Sequence, residues 1–457
     1  MKTFQISEIR KFIKGELIQG SDNLLINKVI YYLKGEAQPN TLIFFKNKSL
    51  INFDYIHDNI SMAIITDTIS EEIKSKTHCT IILVKDINVA YWDFVEYYRN
   101  LFNIPVIAVT GTCGKTTTKD MIKCILSQRF NVKGTISTAN GRTAHLGYLL
   151  SMDESTEVGV FETAVGDPGD LTYAFRYFRP KIGVIMNIGI AHLHRCKTLE
   201  AYIQAKLEMV TELYDNGILI LNGDDQIIQK IDLTKFKGTI IYFGIYHASD
   251  FRASNIKYGK NGMHFILSFG KNKYPIFVPG YGEHQVYNAL GAIAAVHQIG
   301  VDIDEAAKGL LNHENLPHHH QLVAGINGCL ILDDTWHSNP TSLEAAFQTL
   351  NAIANEKKRV ALIGQINGLG SYTFPSARLV GAMIAKEGVD ILITVGPTAK
   401  EIAKEAELKG LVGKIYVFSN IKHLYPFMEK ILDENTILLA KCCMYDTPFR
   451  NLLKKII

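Results

Sequence analysis

Val106-Ile-Ala-Val-Thr-Gly-Thr-Cys-Gly-Lys-Thr-Thr-Thr118 constrains this chain more than any other stretch. Its four leading apolar residues, Val106 to Val109, spell a buried parallel strand. Met121, Ile122 and Ile125 further on share one face of a helix. Between them lies a turn in which Gly111 and Gly114 let the backbone bend tightly and present N–H groups. Strand, turn and helix in that order make a phosphate cradle: the helix start adds partial positive charge, Lys115 a full one, and Thr116 a hydroxyl suited to Mg²⁺. The spacing is T-G-T-x-G-K-T-T rather than G-x-x-x-x-G-K-[ST], because Val109 stands where the first glycine of the longer form would be. An ordinary Gly/Thr turn accounts for neither the strand before it nor the helix after it. The loop therefore reads as an ATP site.

A length of 457 residues suggests about three domains of ~100–200 residues each. Forty-eight Lys and Arg against 45 Asp and Glu leave a net charge of +3, too balanced for a nucleic-acid partner or an anionic membrane. No apolar run approaches the ~18 residues of a membrane span, and the first residues lack the apolar core of a signal peptide. Seven cysteines without C-x-x-C spacing indicate neither a disulfide framework nor a zinc site. A cytoplasmic protein is expected.

The pattern predicts an α/β chain in three parts. Residues 1–96 carry a short helix and strands near Leu24–Ile26, Leu42–Phe45 and Met62–Ile65, with no catalytic constellation, so they suit substrate recognition. An aromatic helix (Tyr91, Trp92, Phe94, Tyr97, Tyr98) leads on to the loop. Residues 97–316 alternate strands and helices, which implies a central P-loop-type ATPase domain with a mostly parallel sheet. Glu162, ending the strand Val158–Phe161, and His192, after Met186–Ala191, fall where ligands bind such sheets and could hold a second Mg²⁺. Asn261-Gly262 marks an antiparallel hairpin. Residues 317–457 read as a Rossmann-like domain without G-x-G-x-x-G. Its first strand ends in Asp333-Asp-Thr-Trp-His-Ser-Asn-Pro340, either a ligand surface carrying His337 and Asn339 or an Asx/Pro cap on the next helix. His318-His-His320 reads as a loop.

Lys206 follows Leu199 and Ile203 and precedes Val210 at steps of four, three and four. A lysine on that apolar stripe either snorkels to solvent or is ion-paired or modified in an active site.

These residues together resemble the Mur ligases, ATP-dependent amide-forming ligases of peptidoglycan synthesis, and most of all the branch that adds D-alanyl-D-alanine to UDP-N-acetylmuramoyl-tripeptide. The likeness covers the central and C-terminal parts nearly throughout and the N-terminal part in outline. It rests on four motifs in order: T-G-T-x-G-K-T-T-T; Asn187-Ile-Gly-Ile-Ala-His-Leu193 with Gln204-Ala-Lys-Leu-Glu208; Gly282-Glu-His-Gln-Val-Tyr-Asn-Ala-Leu290; and Asp333-Asp through Asn339-Pro340.

The resemblance implies that Gly111, Thr112, Gly114, Lys115, Thr116 and Thr117 hold ATP and that Asn288 meets the adenine. His319 and Asp334 would come to the nucleotide from the third part. Thr116, Glu162 and His192 would hold Mg²⁺, and Lys206 would be carbamylated to support it; Lys115, Lys206 and His192 are the catalytic candidates. It implies an acyl-phosphate route from a carboxylate and an amine to an amide, small-molecule substrates, no membrane insertion and a monomer. The chain departs from the family pattern at several places. Tyr31-Tyr-Leu-Lys-Gly35 replaces an acid- and arginine-bearing uridine grip, and His319 replaces an arginine. Gln285 replaces an asparagine, Gln365–Gly370 a D-x-x-E-L-G segment, and Lys441-Cys-Cys443 a Lys-Gly-Ser. Two alternatives follow: the same chemistry on another acid–amine pair, or an inactive nucleotide-binding regulator.

Overall fold

The computed structural model describes every residue except 34, 47–50, 58–59, 77 and 214–215. Lys34, part of the altered uridine grip, lies outside the described residues. Two compact units emerge, residues 1–106 with 130–159 and 173–179, and residues 107–129, 160–172 and 180–457.

The first unit holds a five-stranded sheet in the order Glu16–Gln19, Thr80–Leu83, Ala63–Thr66, Thr41–Phe44, Lys28–Ile30. Its last four strands are mutually parallel, and Glu16–Gln19 runs antiparallel at one edge. The aromatic helix spans Ile87–Asn100, started by Asp86, whose carboxylate accepts from the N–H groups of Asn88 and Val89. Tyr91, Phe94 and Tyr98 form its buried face. Spaced by three and four, they are the residues a helical period brings together.

The second unit contains two sheets. In the larger, the order runs Asn272–Pro279, Gly262–Phe269, Phe251–Gly259, Thr239–Gly244, Ile218–Asn222, Ile182–Ile185, Val106–Thr110, Val158–Glu162. The strands from Phe251–Gly259 to Val106–Thr110 pair in parallel, and the Asn261-Gly262 turn joins an antiparallel hairpin. The loop strand, apolar on both faces, is fully buried, as a strand covered by helices must be.

The six-stranded sheet runs Gln321–Ala324, Leu330–Asp334, Thr436–Lys441, Lys358–Ile363, Ile391–Val395, Lys414–Phe418. All but the antiparallel first strand are parallel, the Rossmann-like arrangement the alternating pattern implies. Asp334 pairs in register with Lys441, so two charged residues end adjacent strands side by side. Among the described residues no helix is long and apolar enough to cross a membrane.

Candidate active site

The helix Lys115–Leu126 begins at Gly114, whose φ of +80° is the left-handed region that favours glycine. A Cβ there would lie 2.4 Å from Asn288 Oδ1, so glycine also lets Asn288 come against the loop. Asn288 accepts from Thr118 Oγ1 at 3.3 Å and donates to Gln285 Oε1 at 3.2 Å. Asn187, whose role the sequence left unassigned, clamps the loop. Its Oδ1 accepts from the N–H of Thr112 (3.1 Å) and of Cys113 (2.9 Å), and its Nδ2 donates to Cys113 O at 3.1 Å. With those two donors occupied, the N–H groups open to an anion are the ones at the helix start, which have no intrahelical acceptor.

Around this loop the structure gathers most of the expected residues. Thr116 Oγ1 donates to Glu162 Oε2 at 2.8 Å, and both residues are buried. Lys115 Nζ folds back to Thr112 O at 3.2 Å. Thr112 Oγ1 accepts from the Gly189 N–H (2.8 Å) and lies 3.1 Å from the Tyr202 hydroxyl.

The helix Leu199–Glu212 buries Tyr202, Ala205, Lys206 and Met209 rather than the stripe through Leu199, Ile203 and Val210. The face is rotated because the Tyr202 hydroxyl reaches the loop. Lys206 therefore does not snorkel: it is fully buried, with Nζ donating to Gly111 O at 2.9 Å. Burial and then the nearby charge of Lys115 push its pKa far below that of an ordinary lysine.

His192 stands just before the short helix Leu193–Cys196 with a φ of +54°. Crowding at the loop, then Lys115 and Lys206, lower its pKa to about 4, so its imidazole is neutral at physiological pH. Among the described residues no three His, Cys, Asp or Glu side chains converge on one point. Of those side-chain types, Glu162 and His192 alone belong to the expected Mg²⁺ set.

A second grouping lines a cavity of about 480 Å³ that runs from Cys113, Gly114 and Thr117 past Asn288 to His319, Asp334, His337 and Lys441. Gly111, Thr112, Lys115, Thr116, Glu162, His192 and Lys206 are not on its lining. Asp334 is buried and ion-paired with Lys441, and its Oδ1 lies 3.4 Å from His320 Nδ1. Burial alone would raise its carboxyl, but His320 and Lys441 hold it well below the usual carboxylate range. Asn339 caps the helix Pro340–Ile353 in a capping box with Ser342. The cap and the ligand surface thus share one segment: Asn339 is the cap, while Asp334 and His337 face the cavity.

That segment also touches the loop. Cys113 Sγ lies 3.7 Å from Asn339 Oδ1, and a Cβ on Gly189 would sit 2.2 Å from Thr341 Oγ1. Sequence reasoning missed Asp224, on the far lining. It accepts from the N–H groups of Ile245, Tyr246 and His247 and, at 2.8 Å each, is bonded by Tyr287 Oη and paired with His247 Nδ1. Its signal was present: Asn222-Gly-Asp-Asp225 follows a parallel strand's carboxyl end, the rule that found Glu162.

A phosphate-cradling loop on a parallel sheet, facing a Rossmann-like wall, defines an ATP-dependent ligase. The family descriptions "Mur ligase middle domain" and "Mur ligase, glutamate ligase domain" match residues 109–296 and 320–442. The UDP-N-acetylmuramoyl-tripeptide–D-alanyl-D-alanine ligase of Bacillus subtilis is 31% identical over 364 residues, 79% of this chain and 78% of the relative. Its namesake in Haemophilus influenzae is 25% identical over 447 residues, 96% and 95% of the two chains. In fold, the chain is similar to MurF from Acinetobacter baumannii (TM-score 0.86, 22% identity, 99% and 98% covered). It is also similar to MurF ligase from Thermotoga maritima, solved in complex with ADP (TM-score 0.79, 20% identity, 94% and 96% covered). The chain belongs to the Mur ligase family.

Proposed function

We propose that this chain joins D-alanyl-D-alanine to a UDP-linked muramoyl tripeptide through an acyl phosphate, the reaction for which its relatives are named. Residues 1–96 would take the uridine-linked substrate, 97–316 the ATP, and 317–457 would close the site. The observation that carries the reading is Lys206, buried against the back of the loop with one carbonyl as its hydrogen-bond partner. A buried amine kept neutral is the form that adds CO₂. The carbamate so formed would be an anion beside the Thr116–Glu162 pair.

The residues at that pair suit Mg²⁺. A hydroxyl and a carboxylate 2.8 Å apart are hard oxygen donors, and His192 offers a neutral imidazole. Thr116, Glu162 and His192 would hold the ion, which when bound neutralises charge gathering on the transferred phosphoryl group. The chain's own groups do the rest. The N–H groups at the helix start bind phosphate oxygens, and Lys115 swings from Thr112 O to the phosphates. A carboxylate oxygen attacks the γ-phosphorus, the bond to the ADP oxygen breaks, and an acyl phosphate forms. The free amine attacks the acyl carbon, the C–O bond to phosphate breaks, and the amine loses a proton. The wall bearing Asn339 and Thr341 keeps water from the acyl phosphate.

A second reading keeps this chemistry on a different acid–amine pair. It is favoured by Tyr31, whose ring packs 5.3 Å from Tyr32 and 5.7 Å from Tyr91 where an acid- and arginine-bearing grip would be expected. Phosphate release from ATP and Mg²⁺ separates the two. Release that needs both the UDP-linked tripeptide and D-alanyl-D-alanine supports the first reading, and release with another pair supports the second. Tight ATP binding with no turnover of any pair would contradict both.

A further inference from the structure

Histidines crowd one end of the cavity: His284, His319, His320 and His337 all line it with Lys441 and Asp334. The rings of His284 and His320 lie 4.1 Å apart, and His319 is 5.4 Å from Trp336 and 6.3 Å from His337. His319 Nδ1 lies 2.8 Å from Pro317 O. That nitrogen carries the hydrogen, which leaves Nε2 to take a proton. His284 Nδ1 and His320 Nε2 are buried with no hydrogen-bond partner among the described residues. Two cations act on this cluster, Lys115 from the loop and Lys441 from its strand, against the carboxylate of Asp334. The other charged or titratable lining groups are Cys113, Asp224, Asp225, His247, Glu283 and Glu344, together with the Tyr246 and Tyr287 hydroxyls.

Desolvation by the cavity walls, then Lys115, hold His337 down at about 3 although the residue is partly open to solvent, and burial lowers His284 and His319. In the free protein these rings are neutral. A polyphosphate entering beside Lys115 and Lys441 reverses the local field and favours imidazolium.

We propose that His319 and His337 grip the nucleotide's phosphates as imidazolium groups formed on binding, so that nucleotide uptake and proton uptake are one event. This rests on the cavity being the ATP site. The sign is fixed: a group whose pKa rises on binding strengthens the complex as pH falls from the bound-state value towards the free-state one. Fixed cations such as arginine would give no such slope.

Calorimetry of the full chain with Mg²⁺ and the non-hydrolysable analogue adenylyl imidodiphosphate, in two buffers of different ionisation enthalpy, tests this. The analogue's own titration cancels when wild type is compared with a His319→Asn/His337→Asn double variant. Wild type should take up on the order of one more proton per nucleotide, and its affinity advantage should grow by up to about tenfold per pH unit lost. His319→Arg should bind tightly with reduced uptake. Should the double variant unfold by circular dichroism, His337→Asn alone, at an exposed ring, carries the same comparison. Equal proton uptake with parallel pH profiles would overturn the proposal and leave the ATP site standing. A wild type that binds no nucleotide at any pH would overturn both.

Discussion

Lys206 and Lys441 are both fully buried, yet they sit in opposite electrostatic settings. Lys441 ends a strand beside Asp334 and is ion-paired with it, and the carboxylate is further held by His320. Lys206 has the Gly111 carbonyl and, as the nearby charge that acts on it most strongly, Lys115. A buried charge with a partner is a structural element, whereas a buried amine beside a cation is driven to neutrality. The second arrangement costs stability and is retained where the neutral amine is used. Under the proposed function, the pair separates a lysine that builds the wall from one poised for chemistry.

The sharpest way to break that contrast is Lys206→Ala. Ligation should fall by about 1000-fold, roughly 4 kcal/mol, while nucleotide affinity measured by calorimetry changes little. Short-chain carboxylic acids should restore part of the rate by supplying the missing anion. Full activity without them would show that the amine is not used.

Asp334→Asn addresses the other lysine. It leaves Lys441 buried without its counter-charge, at a cost of about 3–5 kcal/mol seen in urea unfolding. The sign with pH follows from the depressed carboxyl. Its stabilisation is present above the ordinary value of 3.8 and is lost as pH falls from there towards the lower folded value. Wild type should lose stability across that acid range, and the variant should lack this component.

Between these two sites lies the loop. Gly114→Ala would force a Cβ towards Asn288 Oδ1 at a φ of +80°, costing about 2 kcal/mol in nucleotide affinity. Unchanged affinity would mean that the Asn288 contact is not part of the bound state. The smallest effect is expected for Asn187→Ala, which frees the Cys113 N–H group but leaves the Thr112 N–H its 3.0 Å bond to the backbone carbonyl of residue 187. Net loss of such bonds is about 1 kcal/mol, so KM for ATP should rise about fivefold.

The loop, its helix, Glu162 and the five parallel strands of the wall were legible because each is encoded locally, by apolar runs, glycine spacing and polar residues closing strands; the antiparallel edge strand Gln321–Ala324 was not. Lys206 was legible as an anomaly on a helix face, although the face itself is rotated by the reach of Tyr202. Asn187 was not, because its amide bonds a loop 74 residues away and nothing near it marks that partner. Nor was the Asp334–Lys441 pair, which depends on strand order: the two strands are neighbours in the sheet but 107 residues apart in the chain. Asp224 lay within reach of the strand-end rule, but four of its five protein partners come from the segment 245–247 and become visible only when that segment folds over it.

The most direct test follows an oxygen atom. With ¹⁸O in the carboxylate of the acid substrate, turnover with ATP and the amine should deliver one labelled oxygen into the released phosphate, because that oxygen attacks the γ-phosphorus and leaves with it. Amide formation with unlabelled phosphate would contradict activation through an acyl phosphate.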